Sequence, residues 1–144
     1  MRSEYTSAWE SPGFLLWHAT LRWQRAMRAA LAPHDLTHVQ FVLLASAWWL
    51  GEQGESPSQR RLAEHAGTDA MMTSQVARAL ERAGLVERLR DPVDSRSVRV
   101  MVTEAGRERL KGALRDVEAA DVAFFAAVAE PALVPRLRAL AGRS

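Results

Sequence analysis

The sequence contains no cysteine. That excludes disulfides, thiolate metal sites and thiol-based redox sensing, and it fits a reducing compartment. Long apolar runs are also missing. The most apolar stretch, Phe41 to Leu50, is ten residues, whereas a bilayer span needs about 20. Met1 to Pro12 is polar and holds no apolar core of a signal peptide. A cytoplasmic location is therefore expected. Charge of one sign does not dominate. The formal net charge is +2, so bulk electrostatics points weakly to any partner. No G-x-S-x-G, Walker loop or dinucleotide fingerprint occurs, and neither an enzyme nor a bound cofactor is expected. His34 and His38 are four apart, a spacing that suits a metal on a helix. Pro33 makes the first part of that stretch a loop, and no third strong ligand lies nearby in sequence. No metal is expected. There is no internal repeat and no low-complexity segment.

Lysine is nearly absent too. Of 19 basic residues, only Lys111 is lysine and the rest are arginine. Arginine's planar fork pairs bidentately with phosphates and guanine edges. The chain is also rich in alanine, so the bias as a whole reflects composition, and the positions of particular arginines must decide.

At 144 residues the chain fits one compact domain with a real core. Residues 1–13 read as a polar arm ending at a Pro-Gly break, and 14–144 as a single domain. Phe14 to Leu31 reads as a helix stopped by Pro33. Leu16, Trp23, Met27, Ala30 and Leu31 make one face, and Phe14, Trp17 and Leu21 start a second. A helix apolar on two sides packs against two things, the second often being another subunit. Thr37 caps a helix whose Val39 to Leu50 is apolar nearly all round, the buried centre, ended by Gly51 and Gly54. Ser58 caps Gln59 to Ala66, and Gly67 supplies a turn. Thr68 or Asp69 caps a further helix running to about Ala83. Leu85 to Arg90 and Val98 to Thr103 read as strands around a turn-rich tip. Alternation at Val98, Val100 and Val102 supports the second. Thr103 caps a long helix with Leu110, Leu114, Val117, Phe124 and Val128 at helical spacing. Pro131 opens a last helix. The acids Glu104, Glu108, Asp116 and Glu118 read as solvated charge, and Asp121 as an interface ion pair or a kink. The fold class is mainly α (α+β), a winged helix-turn-helix spanning 37–103. Helices 14–31 and 104–141 serve dimerisation. About six helices and a two- to three-stranded wing are expected.

With Val76 set as inward, Met72, Val76, Ala79, Leu80 and Ala83 form a buried stripe on the second helix of the helix-turn-helix. Ala70, Met71, Ser74, Gln75 and Arg78 then face away, with Thr73 at the border. That edge is short, polar and free of acid after Asp69. It suits entry into a DNA major groove, where Gln bonds adenine, Arg bonds guanine and Met71 or Ala70 touches a thymine methyl. At the tip, Asp94 is placed to hold Arg96, and a fixed arginine there suits a narrow minor groove. Ser58, Arg88, Arg90 and Arg99 are candidates for flanking phosphates, contacts that position the protein and make binding salt-dependent.

Leu62-Ala63-Glu64, Gln75-Val76, Leu80-Glu81, Gly84 to Arg88, Asp91-Pro92, Asp94, Arg96 and Thr103-Glu104-Ala105-Gly106 together resemble the MarR family of winged-helix transcriptional regulators. The resemblance covers roughly Phe14 to Leu140, and its Asp-rich wing followed by T-E-A-G is the specific part. It implies an obligate dimer built on the first and last helices. It implies major-groove reading by Ser74, Gln75 and neighbours, and minor-groove contact by Arg96 steadied by Asp94. The partners implied are double-stranded DNA, a second copy and a small phenolic or lipophilic effector. Trp17, His18, Trp48 and Trp49 are the candidates to line an effector cleft. Two positions depart from the family pattern: Gln75, where arginine is common, and Ala70-Met71-Met72, where Pro-Ser-Thr is frequent. Members that sense peroxide use a cysteine, which this chain lacks. The expected function is thus a sequence-specific DNA-binding regulator, a dimeric repressor on a pseudo-palindromic operator relieved by a ligand. The alternative is a winged helix used for protein contacts, with DNA binding weakened or lost.

Overall fold

The computed structural model describes residues 1–143 and contains six α-helices and one two-stranded sheet among them. The helices are α1 (Pro12–Leu31), α2 (His38–Glu52), α3 (Gln59–Ala66), α4 (Ala70–Arg82), α5 (Glu104–Phe125) and α6 (Leu133–Leu140). Strands β1 (Val86–Arg90) and β2 (Val98–Val102) pair antiparallel, with Val86 opposite Val102 and Arg90 opposite Val98. Ser58 adds a single bridge to Arg99, the only trace of a third strand among the described residues.

The caps explain where the helices start. Thr37 and Gln40 form a reciprocal capping box on α2. Ser58, Asp69 and Thr103 accept from Arg61 N, Met72 N and Gly106 N to start α3, α4 and α5. Gly67 ends α3 at φ 74°, a left-handed conformation that costs glycine little.

Three boundaries differ from the sequence expectation. Pro12-Gly13 does not break the chain but opens α1, with Ser11 as its cap, because proline at the first helical position lacks only an N–H that has no intrahelical partner there. Gly51 does not end α2 but lies inside it, the helix running on to Glu52, whereas α1 stops at Leu31, ahead of Pro33, as expected. The fifth helix stops at Phe125, and Val128 falls in the 3-10 turn that follows.

The core forms around α2. Phe41, Leu43, Leu44, Ala47 and Leu50 meet Met27 and Leu31 of α1, Leu62 of α3, Ala77 and Leu80 of α4, Val86 and Val100 of the sheet, and Leu110, Ala113 and Val117 of α5. Each fully buried leucine here contributes roughly 1.5–3 kcal/mol. The first half of α1 is different. Leu16, placed on its core face by spacing, is exposed together with Phe14, Leu15, Trp17 and Leu21, and the part of α1 that joins the core begins at Trp23.

The T-E-A-G stretch joins sheet and helix. The Thr103 hydroxyl donates to the Gly84 carbonyl at 2.6 Å, and Thr103 N donates to Leu85 O at 3.1 Å. A side chain at Gly106 would place its Cβ 2.0 Å from that same Leu85 oxygen. Glycine is required there by close approach, not by a turn.

Candidate nucleic-acid interface

Helix α4 is held by its N-terminus. Asp69 Oδ1 accepts from Met72 N at 2.7 Å. The Thr73 hydroxyl bonds Asp69 O at 2.7 Å and lies 2.7 Å from the Thr68 hydroxyl. Thr73 is 0% exposed, so it pins the turn and is withdrawn from the set of candidate groove contacts. The buried stripe runs through Thr73, Ala77 and Leu80. At 100° per residue this lies roughly 65° round from the direction set by Val76. The rotation moves Met72 out of the core, to 42% exposure, beside Met71 at 73%. The outward edge is Met71, Met72, Gln75, Arg78 and Arg82, all exposed, with Ser74 half-buried at its border. Arg82 was missed by pattern reading. It lies four residues beyond Arg78 and seven beyond Gln75, and at 100° per residue it faces away from Val76 as well as from Thr73 and Ala77, so the spacing alone reveals it. Ala70 is exposed at the start of the helix, in a cleft it shares with Gln59, Arg60, Thr68 and Arg96.

The wing tip is ordered by Asp91. Its Oδ1 accepts from Val93 N at 2.8 Å and Asp94 N at 3.1 Å, and its Oδ2 lies 2.6 Å from both Nε and Nη2 of Arg99. The backbone N–H groups of Asp94 and Val93, followed by Arg99, hold the Asp91 carboxyl below the usual carboxylate range. Asp94 Oδ1 accepts from Arg96 N at 3.0 Å and lies 3.6 Å from Arg96 Nε. The bend of the tip and the direction of Arg96 are thus set together. The Arg96 side chain is 93% exposed.

Two of the candidate phosphate-binding arginines are otherwise engaged. Arg99 is clamped by Asp91 and donates to Ser56 O at 2.6 Å. Arg88, only 17% exposed, donates to Gln59 Oε1 at 3.0 Å and pairs with Glu81 at 3.6 Å. Both tie the wing to the helix-turn-helix, a role that alternation alone could not distinguish from a surface one. Arg90 is exposed. Ser58 spends its hydroxyl on the cap of α3.

The aromatic residues fall into two groups. Trp48 lines a cavity of about 440 Å³ with Arg107, Leu110, Lys111, Leu114, Arg115 and Glu118, and exposed Trp49 packs beside it at 6.3 Å between ring centroids. His18 instead packs with Trp9 and Phe14 near the start of α1, where Trp17 is exposed. Neither Trp17 nor His18 lines the cavity at Trp48, so that cavity does not bring the four together.

The histidines and Asp121 have structural partners. His34 Nε2 lies 2.6 Å from Asp116 Oδ2, so Asp116 is not merely solvated. His38 packs edge-on to Trp23, and burial first, with Arg28 adding, holds its pKa below the ordinary histidine value against Asp121. Trp23 Nε1 donates to Asp121 Oδ1 at 2.8 Å, so Asp121 has a partner within its own chain, and α5 runs through it as one helix. No group of three metal-ligating side chains occurs among the described residues, and no described helix is long and apolar enough to cross a membrane.

A helix-turn-helix whose second helix presents an exposed edge free of carboxylates, beside an arginine-tipped wing, defines the class of winged helix-turn-helix regulators. Comparison with known proteins narrows the class. The sequence model of the MarR family matches residues 36–98. The chain is 49% identical over 125 residues to the HTH-type transcriptional regulator YdcH of Bacillus subtilis (strain 168), covering 87% of this chain and 85% of that one. Among solved structures, CouR of Rhodococcus jostii RHA1, bound to p-coumaroyl-CoA, superposes with a TM-score of 0.81 at 29% identity, covering 94% of this chain and 92% of that one. BpsR of Bordetella bronchiseptica, whose DNA binding is regulated by 6-hydroxynicotinic acid, superposes with a TM-score of 0.84 at 25% identity, covering 99% and 100%. The chain belongs to the MarR family of transcriptional regulators.

Proposed function

We propose that the chain acts as a homodimeric repressor that reads a pseudo-palindromic DNA operator and is released by a small aromatic or lipophilic ligand. The observation that carries this reading is the outward edge of α4. Gln75, Arg78 and Arg82 are exposed there, next to a wing whose Arg96 is held out by its own backbone. Gln75 and Arg78 face bases. Arg82, Arg90 and Arg96 meet phosphates and the minor groove, and Ser74 and Ala70 let the backbone approach. Residues 37–103 form the reading unit, and 14–31 with 104–141 form the dimer base. The effector enters at Trp48, where Arg107, Lys111 and Arg115 favour an aromatic group bearing negative charge. CouR and BpsR, which respectively bind an aromatic acyl thioester and answer to an aromatic acid, support that choice. Ligand binding shifts the population toward a head spacing that no longer fits successive major grooves. A regulator of this kind works where the chromosome is, so a cytoplasmic location is part of the proposal, and catalysis is not.

Gel shift with the chain's own upstream region tests it. Affinity is expected to drop at least about tenfold between 50 and 200 mM salt. Absence of any salt-sensitive binding would favour a winged helix used for protein contacts instead.

A further inference from the structure

The rotation of α4 brings two thioethers to the edge that faces outward. At 100° per residue Gln75 lies between them, about 40° from Met71 and about 60° from Met72. The strip is therefore apolar, amide, apolar, over the first two turns of the helix. No carboxylate interrupts it, since Asp69 is turned back to cap Met72 N. Nothing else in the described chain covers Met71, which is 73% exposed. An uncovered thioether gains nothing in water, but it is flexible and polarizable enough to fit an irregular apolar surface. The floor of a major groove offers one such surface, the 5-methyl group of thymine. A primary amide offers one donor and one acceptor side by side, the complement of adenine N7 and N6.

Resting on the DNA-binding reading above, we infer that Met71, Gln75 and Met72 form one specificity element for an A·T step. Gln75 bonds the adenine edge, and the two thioethers cover thymine methyls on either side of it. Specificity at this step comes from methyl burial as much as from hydrogen bonds. Arg78 and Arg82, one and two turns further along α4, supply charge to the same groove.

The test uses the full chain and an operator selected from genomic fragments. Each thymine of a half-site is replaced in turn by deoxyuridine, which deletes only the methyl, and binding is followed by fluorescence anisotropy. Two positions per half-site are expected to lose about fourfold in affinity, as for one buried methylene. Met71→Ala should remove the response at one position and Met72→Ala at the other. Gln75→Ala should relax discrimination at the adenine between them. The methionines are exposed, so the variants should keep the wild-type melting curve. Uridine tolerated at every thymine, or the same penalties in the alanine variants, with salt-sensitive binding intact, would overturn the element and leave the regulator standing. No salt-sensitive binding to any fragment would overturn both.

Discussion

Arg96 and Arg99 lie three residues apart and do opposite work. Arg96 reaches into solvent from a tip shaped by Asp94, whereas Arg99 is spent on Asp91 and Ser56. Arg96→Ala is expected to weaken operator binding by about 1–3 kcal/mol and to blunt preference at flanking A·T pairs, with an unchanged melting curve. Arg99→Ala should do the reverse first: faster amide exchange through 91–97, and weaker binding only as a consequence. Equal effects on binding and order from both variants would dissolve the distinction. Asp91 adds a pH dependence. Its carboxyl is held below its unfolded value near 4 by the Asp94 and Val93 amides and by Arg99. Its contribution is therefore complete above about pH 4 and is lost as pH falls through the lowered value. Thermal melts from pH 2 to 6 should show an acid-side loss that shrinks in Asp91→Asn. Identical curves would remove Asp91 from the account.

At the scale of elements, chemistry that is local in sequence was legible and chemistry that depends on a neighbour was not. The caps at Thr37, Ser58 and Thr103 and the turn at Gly67 are set by side chains within three residues, and each stands where the pattern predicts. The inward direction of α4 was misjudged because hydrophobicity stood in for burial. Met72 and Val76 look like core, yet Thr73, its hydroxyl satisfied by Asp69 and Thr68, and Ala77, small enough for close approach, take that place. Arg88 and Asp116 were misread for a related reason. Their partners Gln59 and His34 are remote in sequence. Gly106 shows what such a contact is worth. It stands in the T-E-A-G motif, but its reason is the Leu85 carbonyl, which only the fold brings near. Gly106→Ala is expected to cost about 1–3 kcal/mol or more, as overpacking against backbone. Thr103→Ala should cost about 1 kcal/mol for the lost cap. Chemical denaturation measures both, and a neutral Gly106→Ala would show that α5 can shift away from the sheet.

For the whole molecule, the unburied apolar surface decides the assembly. Phe14, Leu15, Leu16, Trp17 and Leu21 at one end of the chain, and Val122, Val128, Val134, Leu137 and Leu140 at the other, are all exposed. None of α6 is buried, and it makes no extensive contact with any other element. A short helix with so little support does not hold itself in water. Exposed apolar side chains in this number mark an interface, and two ends of one chain left bare in the same way suit a two-fold pairing in which each copy covers the other's ends. The double variant Leu16→Asp, Leu137→Asp is expected to sediment as a monomer with α6 melted. It should also lose operator binding far beyond the effect of any single groove contact, because one reading head reaches only one half-site of a pair about 34–36 Å apart. A wild-type chain that sediments as a monomer at micromolar concentration, or a monomeric variant that keeps full affinity for the complete operator, would overturn the dimer and with it the two-headed geometry.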